Sequence, residues 1–483
     1  MLLSRLLDGI EILETNLEKF DIEIRSVSSD SRSIQTGDVF ISIAGNSYNG
    51  HRYIGEAIKH RAAVIVTEDK SYTGAFPYIR VPSTRAAYAL IWNNLCHRPS
   101  QRMKYIAVTG TNGKSSTVMM LAHLLRNNGI KCESIGTLNS SLTTPDPPDL
   151  YPRLKELADE GCEYVIMEAS SHALEYRKLE PIHFKAGIFT NLTPEHLDFH
   201  GNMRSYAEAK SKLFSKCDIT LYNKDDKYAD AVTGRFQKRI SYSFWDDSAD
   251  YICHNIKTST DRCDFDFLTV GELFHLRMPL VGRFNVYNAM AACSLAHYIG
   301  VPRAVIKEAV ACMPSVKGRL ERVELTDQSY SVFIDYAHTP DALKQALSSL
   351  REITNGRLIC VFGCGGDRDK LKRAPMGEIA SALADMVIIT TDNPRTEDPY
   401  DIIRDILEGI DKTKKHLIIP DRRDAIRYTV HSARAGDTVV FCGKGHESYE
   451  INVCGVMPFD EKKIIQDAER ERIGKEGNEY NPC

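Results

Sequence analysis

Two kinds of apolar pattern alternate along this chain. Continuous β-favouring runs, of the sort that form strands buried on both faces, occur at DVFISIAG (38–45), AAVIVTE (62–68), YIRV (78–81), YIAVTG (105–110), EYVIMEAS (163–170), AGIFTNL (186–192) and ITLYN (219–223). More follow at SVFIDY (331–336), RLICVFG (357–363), MVIIT (386–390), HLIIP (416–420) and DTVVFCG (437–443). Between them lie helical patterns, the plainest being VMMLAHLLRNNG (118–129), which stops at Gly129. Strands alternating with helices predict parallel sheets covered on both faces. The alternation breaks at the polar linker HRPSQRM (97–103) and at MPSVKGRLERVE (313–324), where Pro, Gly and charges replace apolar periodicity. We therefore expect an α/β chain of three domains. These are a small N-terminal α/β domain (1–100), a central P-loop-type parallel sheet with helices on both faces (101–316), and a C-terminal Rossmann-like doubly wound domain (317–483). A length of 483 residues agrees, at about 150 residues per domain. The opening MLLSRLLDGIEIL, interrupted by Arg5, Asp8 and Glu11, reads as an amphipathic helix and not as a signal peptide.

Composition narrows the classes of function. A net charge of −4 and a pI near 6.4 supply no basic field for nucleic acid or an anionic membrane, which points to small-molecule partners. No apolar run approaches the ~20 residues that cross a bilayer. Thirteen cysteines, an odd number without a C-x-x-C pair, suit reduced thiols in a cytosol better than a disulfide scaffold. A cytoplasmic monomer is expected.

The densest chemistry is AVTGTNGKSST (107–117). A glycine turn between strand and helix aims backbone N–H groups at an anion, Lys114 adds a cation, and the Ser115 hydroxyl can reach a magnesium ion. The first glycine of a full Walker motif would fall on Val108, so what remains is G-x-x-G-K-S, read here as a nucleotide site. The next strand ends at Glu168, at the edge where open α/β sheets bind ligands, which makes it a candidate metal ligand. FTNLTPEHLDFHGNMRSYAEAKSKLF (189–214) then gathers His196, Asp198, His200, Glu208, Lys210 and Lys212. His196 and His200 resemble half of a zinc helix, but H-E-x-x-H is absent and zinc is set aside. Asn223, Lys224 and Asp226 form N-K-x-D, a guanine reader in a GTPase; E-A-S-S in place of D-x-x-G argues against it. FGCGGDRD (362–369) lacks G-x-G-x-x-G, so a dinucleotide is not expected either. In the C-terminal unit, GGDRDK (365–370), DNPRTEDP (392–399) and GKGHE (443–447) each follow a strand-like run and can converge on one crevice. Arg368 and Arg395 offer planar forks suited to a carboxylate.

Taken in order, DSRSIQTGDVFISIAG, GTNGKSS, TTPDP, MEASSHAL, FTNLTPEHLDFHG, YAEAKSKLF, LVGRFNVYNAMAA, GRLERV, IDYAHTPDAL, DNPR and GKGHE resemble the motif series of the Mur ligase family over nearly the whole chain. The resemblance implies a UDP-binding N-terminal domain, a central ATP domain and a C-terminal amino-acid domain. It also implies an ATP- and Mg²⁺-dependent ligase of peptidoglycan precursor synthesis. Carried over position by position, it implies that Ser31, Asn46, Ser47 and Tyr48 hold the UDP moiety, while Thr143, Thr144, Ser170 and Lys178 hold the rest of the nucleotide-sugar peptide. Gly110, Thr111, Asn112, Gly113, Lys114, Ser115 and Ser116 match the ATP loop, and Asn288, Arg319 and Asp335 match further ATP-holding positions. Ser115, Glu168 and His196 match magnesium ligands, joined by Lys210, the lysine that the family carbamylates. An ammonium cannot sit beside magnesium, whereas a carbamate is an anion with oxygen donors. Lys114, Lys210, His196, Glu168 and Arg319 are thereby the expected catalytic set.

DNPR resembles the loop of those members that add meso-diaminopimelate and not lysine. A distal carboxylate suits Arg395, which lysine would leave unpaired. Arg368, Asp392, Asn393, Pro394, Gly443 and Glu447 match the rest of this pocket, Glu447 being suited to an ammonium. One departure stands out, since the family commonly shows Gln and Arg where SSHALEYRKLE has Tyr176 and Lys178 around Arg177. Which of the three meets substrate stays open. The expected reaction moves the γ-phosphate of ATP to the D-glutamyl carboxylate of a UDP-muramoyl dipeptide, and the diaminopimelate amine attacks the acyl phosphate. The rivals are the lysine-adding sibling, folylpolyglutamate synthase, and a regulatory switch that merely hydrolyses nucleotide.

Overall fold

Runs buried on both faces do become strands, and three sheets carry them. The structure is a computed structural model that describes residues 1–45 and 49–479; Asn46, Ser47 and Tyr48, expected at the UDP site, lie outside the described residues. The first sheet has the order Glu14–Thr15, Tyr78–Arg80, Val64–Thr67, Val39–Ile41, Val27–Ser28, parallel except at its first strand. The third runs Glu321–Arg322, Ser331–Asp335, Thr438–Cys442, Leu358–Phe362, Met386–Ile389, His416–Ile418, again with only the first strand antiparallel.

The central sheet is larger and not wholly parallel. Seven parallel strands, Cys132–Ile135, Tyr164–Glu168, Lys104–Thr109, Phe184–Phe189, Thr220–Asn223, Arg239–Ser243 and Tyr251–Thr258, continue into an antiparallel meander, Cys263–Thr269 and Glu272–Met278. The meander departs from the all-parallel expectation. Its sequence shows why: Cys263, Phe265 and Phe267, then Phe274, Leu276 and Met278, alternate with exposed or half-buried residues, the period-two pattern of a sheet buried on one face. In the strand Lys104–Thr109, by contrast, every residue after Lys104 is buried. The helix Lys114–Asn127 packs Val118, Leu121, Leu124 and Leu125 onto this core beside the helix Arg283–Tyr298, whose small residues Ala289, Ala291, Ala292 and Ala296 allow close approach.

At the N-terminus the expected amphipathic helix is cut to one turn, Leu3–Leu6. Gly9 turns the chain at φ +79, and the Asn94 amide donates to the carbonyls of Leu6 (3.0 Å) and Asp8 (2.8 Å), taking acceptors that a longer helix would use. Trp92 packs against the cores on both sides of the first linker. At the second linker, Val281 and Leu320 are buried in the core of the third sheet and Phe284 packs against it, so the start of the helix Arg283–Tyr298 is anchored there.

One buried ion pair fixes the loops that matter for binding. Arg422 donates from Nε to Glu461 (2.7 Å) and from its terminal nitrogens to the carbonyls of Thr391 (3.2 Å) and Cys442 (3.0 Å). It thereby ties together the ends of the strands Met386–Ile389 and Thr438–Cys442, with both charged side chains almost wholly shielded from solvent. Replacing Arg422 with Met leaves Glu461 charged and alone, and is expected to destabilise the C-terminal unit by about 3–5 kcal/mol. Urea unfolding followed through that unit checks this, and the double variant Arg422→Met/Glu461→Leu should recover most of the loss.

Candidate active site

The phosphate loop lies at the carboxyl edge of the central sheet, between Thr109 and the helix beginning at Lys114. Gly113 adopts φ +83, and a Cβ there would collide with Asn288 Oδ1 from the neighbouring helix; at Gly110 it would collide with Thr190 Oγ1. Both glycines are therefore needed for the loop to close against its neighbours. Lys114 folds back and donates to the carbonyls of Gly110 (3.0 Å) and Thr111 (2.7 Å). Lys210 donates to the same Gly110 carbonyl from the other side (2.8 Å). Burial pushes both amines below the ordinary lysine range, Lys210 far below it, with the Lys114 charge adding to the effect on Lys210. Ser115 and Ser116 are buried at the helix start.

Glu168 is buried at its strand end, where its carboxylate accepts from the Thr137 N–H (2.8 Å) and hydroxyl (3.3 Å). His196, in a left-handed conformation, stands 3.8 Å from Glu195. Burial would raise the Glu195 carboxyl, but His196, Lys114, His338 and Lys210 together hold it below the usual carboxylate range. Among the described residues no three His, Cys, Asp or Glu converge as metal ligands. The oxygen donors at Ser115 and Glu168 suit magnesium, yet two amines and only one imidazole accompany them, so the unmodified set is short of anions. His200 instead donates to or accepts from Ser171 (2.9 Å) and stacks on Tyr206, which removes it from any pairing with His196.

The C-terminal unit closes over this edge. Asn112 of the phosphate loop donates to Asp341 (3.1 Å), at the start of the helix Pro340–Arg351, and Gln345 holds the same oxygen (2.9 Å). Asp335 accepts from the N–H groups of Leu320 (2.6 Å) and Ala337 (2.8 Å), joining the linker to the strand end. Burial raises its carboxyl to about 6, against the pull of Arg319, whose guanidinium lies 4.9 Å over Tyr336. A cavity of about 510 Å³ opens between Asn112, Ser115, Asn288, Arg319, Asp335 and Gln345. Of the guanine-like motif, Asp226 accepts from Leu192 N (3.0 Å) and Tyr228 N (2.8 Å), Lys224 pairs with Asp246 (2.7 Å), and Asn223 donates to the Thr190 carbonyl (3.0 Å). These residues brace strand ends, and Asn223 and Asp226 also line the cavity just described.

The three C-terminal loops do meet. Asn393 donates to Glu447 (2.8 Å) and accepts from Lys444 (3.1 Å) and Ile451 N (2.9 Å). Lys444 is fully buried, 3.6 Å from Asp392, and one Asp392 oxygen has no hydrogen-bond partner. Burial, then the Asp392 charge, raises the Glu447 carboxyl. Gly443, at φ +111, lies close to Asp392. A Cβ on Gly366 would strike the Pro394 carbonyl, and one on Gly365 would come 2.9 Å from Arg395 and 3.7 Å from Arg368, so the two arginines flank this glycine pair. Arg395 uses one terminal nitrogen on the Gly366 carbonyl (2.7 Å), while Arg368 is exposed.

A second cavity, about 240 Å³, separates the N-terminal and central units and is lined by Arg85, Tyr88, Asp146, Tyr176 and Lys178 among others. Lys178 pairs with Asp146 (2.7 Å), and Arg85 covers the Tyr176 ring at 4.0 Å. Arg177 turns away to Glu180 (2.6 Å). Nearby, Thr144 donates to the Glu168 carbonyl (2.8 Å) and Ser170 (3.3 Å), and Thr143 accepts from Thr137 (3.1 Å). Ser31 is farther off, donating to Glu56 (2.6 Å). Sequence reasoning did not single out Glu195, His338, Asp341, Lys444 or Arg85. Glu195, His338, Asp341 and Lys444 all sit inside quoted motifs and only Arg85 does not, but the groups they face lie far along the chain, which no spacing within a motif reveals.

Comparison with known proteins agrees across the chain. Profiles of the Mur ligase family catalytic domain, the Mur ligase middle domain and the Mur ligase glutamate ligase domain match residues 23–94, 108–296 and 318–445. The UDP-N-acetylmuramoyl-L-alanyl-D-glutamate–2,6-diaminopimelate ligase of Syntrophomonas wolfei is 40% identical over 474 residues, 94% of this chain and 96% of that one. A solved structure of a ligase of the same name superimposes with a TM-score of 0.71 at 31% identity, covering 98% and 99% of the two chains. MurF ligase of Thermotoga maritima, solved with ADP, shares the fold at a TM-score of 0.62 and 17% identity, over 95% and 100%.

Two outcomes are expected from this geometry. Gly113→Ala combines a strained backbone with the collision at Asn288 and should weaken ATP binding at least about tenfold by calorimetric titration. Asp335 binds its proton more tightly in the folded chain than in the unfolded one. Its contribution to stability is thus complete below pH ~3.8 and lost as pH rises through about 6. Stability of the protein should therefore fall between pH 4 and 6 relative to Asp335→Asn, by up to about 3 kcal/mol in denaturant titrations.

Proposed function

Because the chain belongs to the Mur ligase family, we infer that it is the ATP-dependent ligase that joins meso-diaminopimelate to UDP-N-acetylmuramoyl-L-alanyl-D-glutamate, a step of peptidoglycan precursor synthesis. One observation carries the reading: Asn112 of the phosphate loop reaches Asp341 of the C-terminal unit, so the phosphate loop faces the unit that carries the amino-acid loops. The DNPR and GKGHE loops form the amino-acid pocket there.

In this reading Gly110 to Ser116 cradle the phosphates of ATP, with Asn288, Arg319 and Asp335 holding the remainder. Bound magnesium would neutralise charge on the transferring phosphoryl group. Ser115, Glu168 and His196 would hold it, and Lys210 would complete the set. The depressed proton affinity of Lys210 leaves a free amine that can add to carbon dioxide; its N–C bond forms as a proton departs, and a cation becomes a carbamate anion. Lys114 stays a cation for the phosphates. Thr143, Thr144, Ser170 and Lys178 position the dipeptide, Lys178 being the basic residue of its stretch that lines the cavity and Tyr176 its aromatic wall under Arg85. Ser31 belongs to the UDP end.

The D-glutamyl carboxylate takes the γ-phosphoryl group, and the resulting acyl phosphate gives the amine a leaving group. Catalysis here is positioning and charge neutralisation. Arg395, aided by Arg368, Asn393 and Pro394, grips the distal carboxylate of diaminopimelate, while Asp392, backed by Lys444, and Glu447 beside Gly443 receive the ammonium. Domain limits near residues 100 and 316 serve as hinges, Gly318 and Leu320 being left-handed just beyond the second. The substrates are small molecules, and the enzyme works as a cytoplasmic monomer. Among the described residues no helix is long and apolar enough to cross a membrane.

Product mass after incubation with the UDP-muramoyl dipeptide, ATP and Mg²⁺ tests the assignment: a tripeptide adduct is expected with diaminopimelate but not lysine. Nucleotide hydrolysis at full rate without the dipeptide would refute it. Arg395→Ala should lower kcat/KM for diaminopimelate about 10²–10³-fold while leaving the KM for ATP unchanged. Carbon-13 NMR of enzyme equilibrated with labelled bicarbonate should show a carbamate signal that Lys210→Ala abolishes together with turnover.

A further inference from the structure

The ligation step needs a group that none of the residues above supplies. An amino acid near neutral pH carries an ammonium, and only the deprotonated nitrogen has the lone pair that attacks an acyl phosphate. A proton acceptor must therefore stand in the cleft. Glu447 is held by Asn393, and Glu195 faces the cations at the phosphate loop. Burial takes His446 down to about 4, and its Nδ1 is sealed from solvent, out of reach of a substrate.

His338 differs from these. Its Nδ1 lies 2.8 Å from the Tyr336 carbonyl, and because a carbonyl only accepts, that nitrogen carries the proton. The backbone thereby fixes one neutral tautomer and leaves Nε2 as a bare acceptor, with no partner among the described residues. The ring is half-buried and not enclosed. Tyr336 packs on it at 4.6 Å and carries His446 at 4.8 Å and the Arg319 guanidinium at 4.9 Å. Lys372 donates to the His338 carbonyl (2.9 Å). The charged groups facing the ring are thus Lys372, Arg319 and His446 from the C-terminal unit and Glu195 from the central unit. Burial and then the Lys372 charge lower the proton affinity of the ring, against the pull of Glu195 and of the Tyr336 carbonyl. His338 stands where the phosphate-loop charges meet the GKGHE loop.

We propose that His338 is the general base of ligation: its Nε2 takes a proton from the ammonium of the incoming amino acid, freeing the lone pair that attacks the acyl phosphate. This rests on the ligase reading above. The nitrogen lone pair forms the C–N bond, the C–O bond to phosphate breaks with its electrons leaving on phosphate, the second proton shed by nitrogen goes to the released phosphate, and the first passes from Nε2 to water. Glu195 steadies the imidazolium formed in between.

Hydroxylamine separates this role from a structural one, because it is already a free base at pH 7 and traps the acyl phosphate as a hydroxamate without help. His338→Asn keeps an N–H for the Tyr336 carbonyl but offers no base. In the full-length enzyme with the UDP-muramoyl dipeptide, ATP and Mg²⁺, this variant should keep wild-type hydroxamate formation while diaminopimelate ligation falls about 10²–10⁴-fold at pH 7. Ligation should recover as pH rises. Unchanged ligation, or an equal fall in both products, overturns the proposal. No hydroxamate from the wild-type enzyme would refute the ligase reading itself, and the proposal with it. Lys372→Met gives a second route should His338→Asn fold poorly. Removing that cation raises the proton affinity of the ring, so the acid limb of the ligation pH profile should shift to higher pH; an unmoved limb counts against the base.

Discussion

Two lysines from distant parts of the chain, Lys210 buried and Lys114 half-buried, donate to one carbonyl, that of Gly110. Nothing else in the central unit constrains the chemistry so strongly. Neither amine can be comfortable as an ammonium in that space, and Glu195 is the carboxylate whose charge answers both. On the proposed ligase reading the arrangement awaits anions, phosphates for Lys114 and a carbamate formed on Lys210. The apolar strand Lys104–Thr109 and the glycine turn after it exist, in functional terms, to present that carbonyl.

The same logic extends across the cleft. Asp335 is a buried carboxylate whose two oxygens are taken by N–H groups of the linker and of its own strand end, so one residue ties the linker to the cavity it lines. Asp341 repeats the device one turn later by receiving Asn112. On the far side, close glycine contacts and the Arg422–Glu461 pair knit three loops into a single pocket, while the buried Lys444 holds Asn393 in place from behind. A rigid pocket on one domain and a rigid phosphate loop on the other, joined by a few hydrogen bonds, is the construction that lets closure bring reactants together while keeping each site ordered.

Much of this was legible along the chain. The strands Lys104–Thr109, Ser331–Asp335 and Thr438–Cys442 are buried on both faces and so appear as unbroken apolar runs, with their chemistry in the turns that follow. The meander over residues 251–278 is less legible because period-two alternation is a weaker signal, and the N-terminal helix is shorter than its periodicity implies because Asn94, 86 and 88 residues away, competes for its carbonyls.

What the sequence determined by itself is the inventory: which turns carry glycine, lysine and carboxylate, and in which order, since strand periodicity and turn chemistry are local properties. What only the tertiary structure decided is company. Folding buries the Lys210 amine against the Gly110 carbonyl and lowers its proton affinity, Lys178 and not Arg177 lines the cavity between the N-terminal and central units because Glu180 draws Arg177 aside, and the Glu195 charge acts on His338 only because parts of the chain distant in sequence come together. Burial and charge proximity are sums over neighbours in space, and those neighbours exist only once the chain has folded.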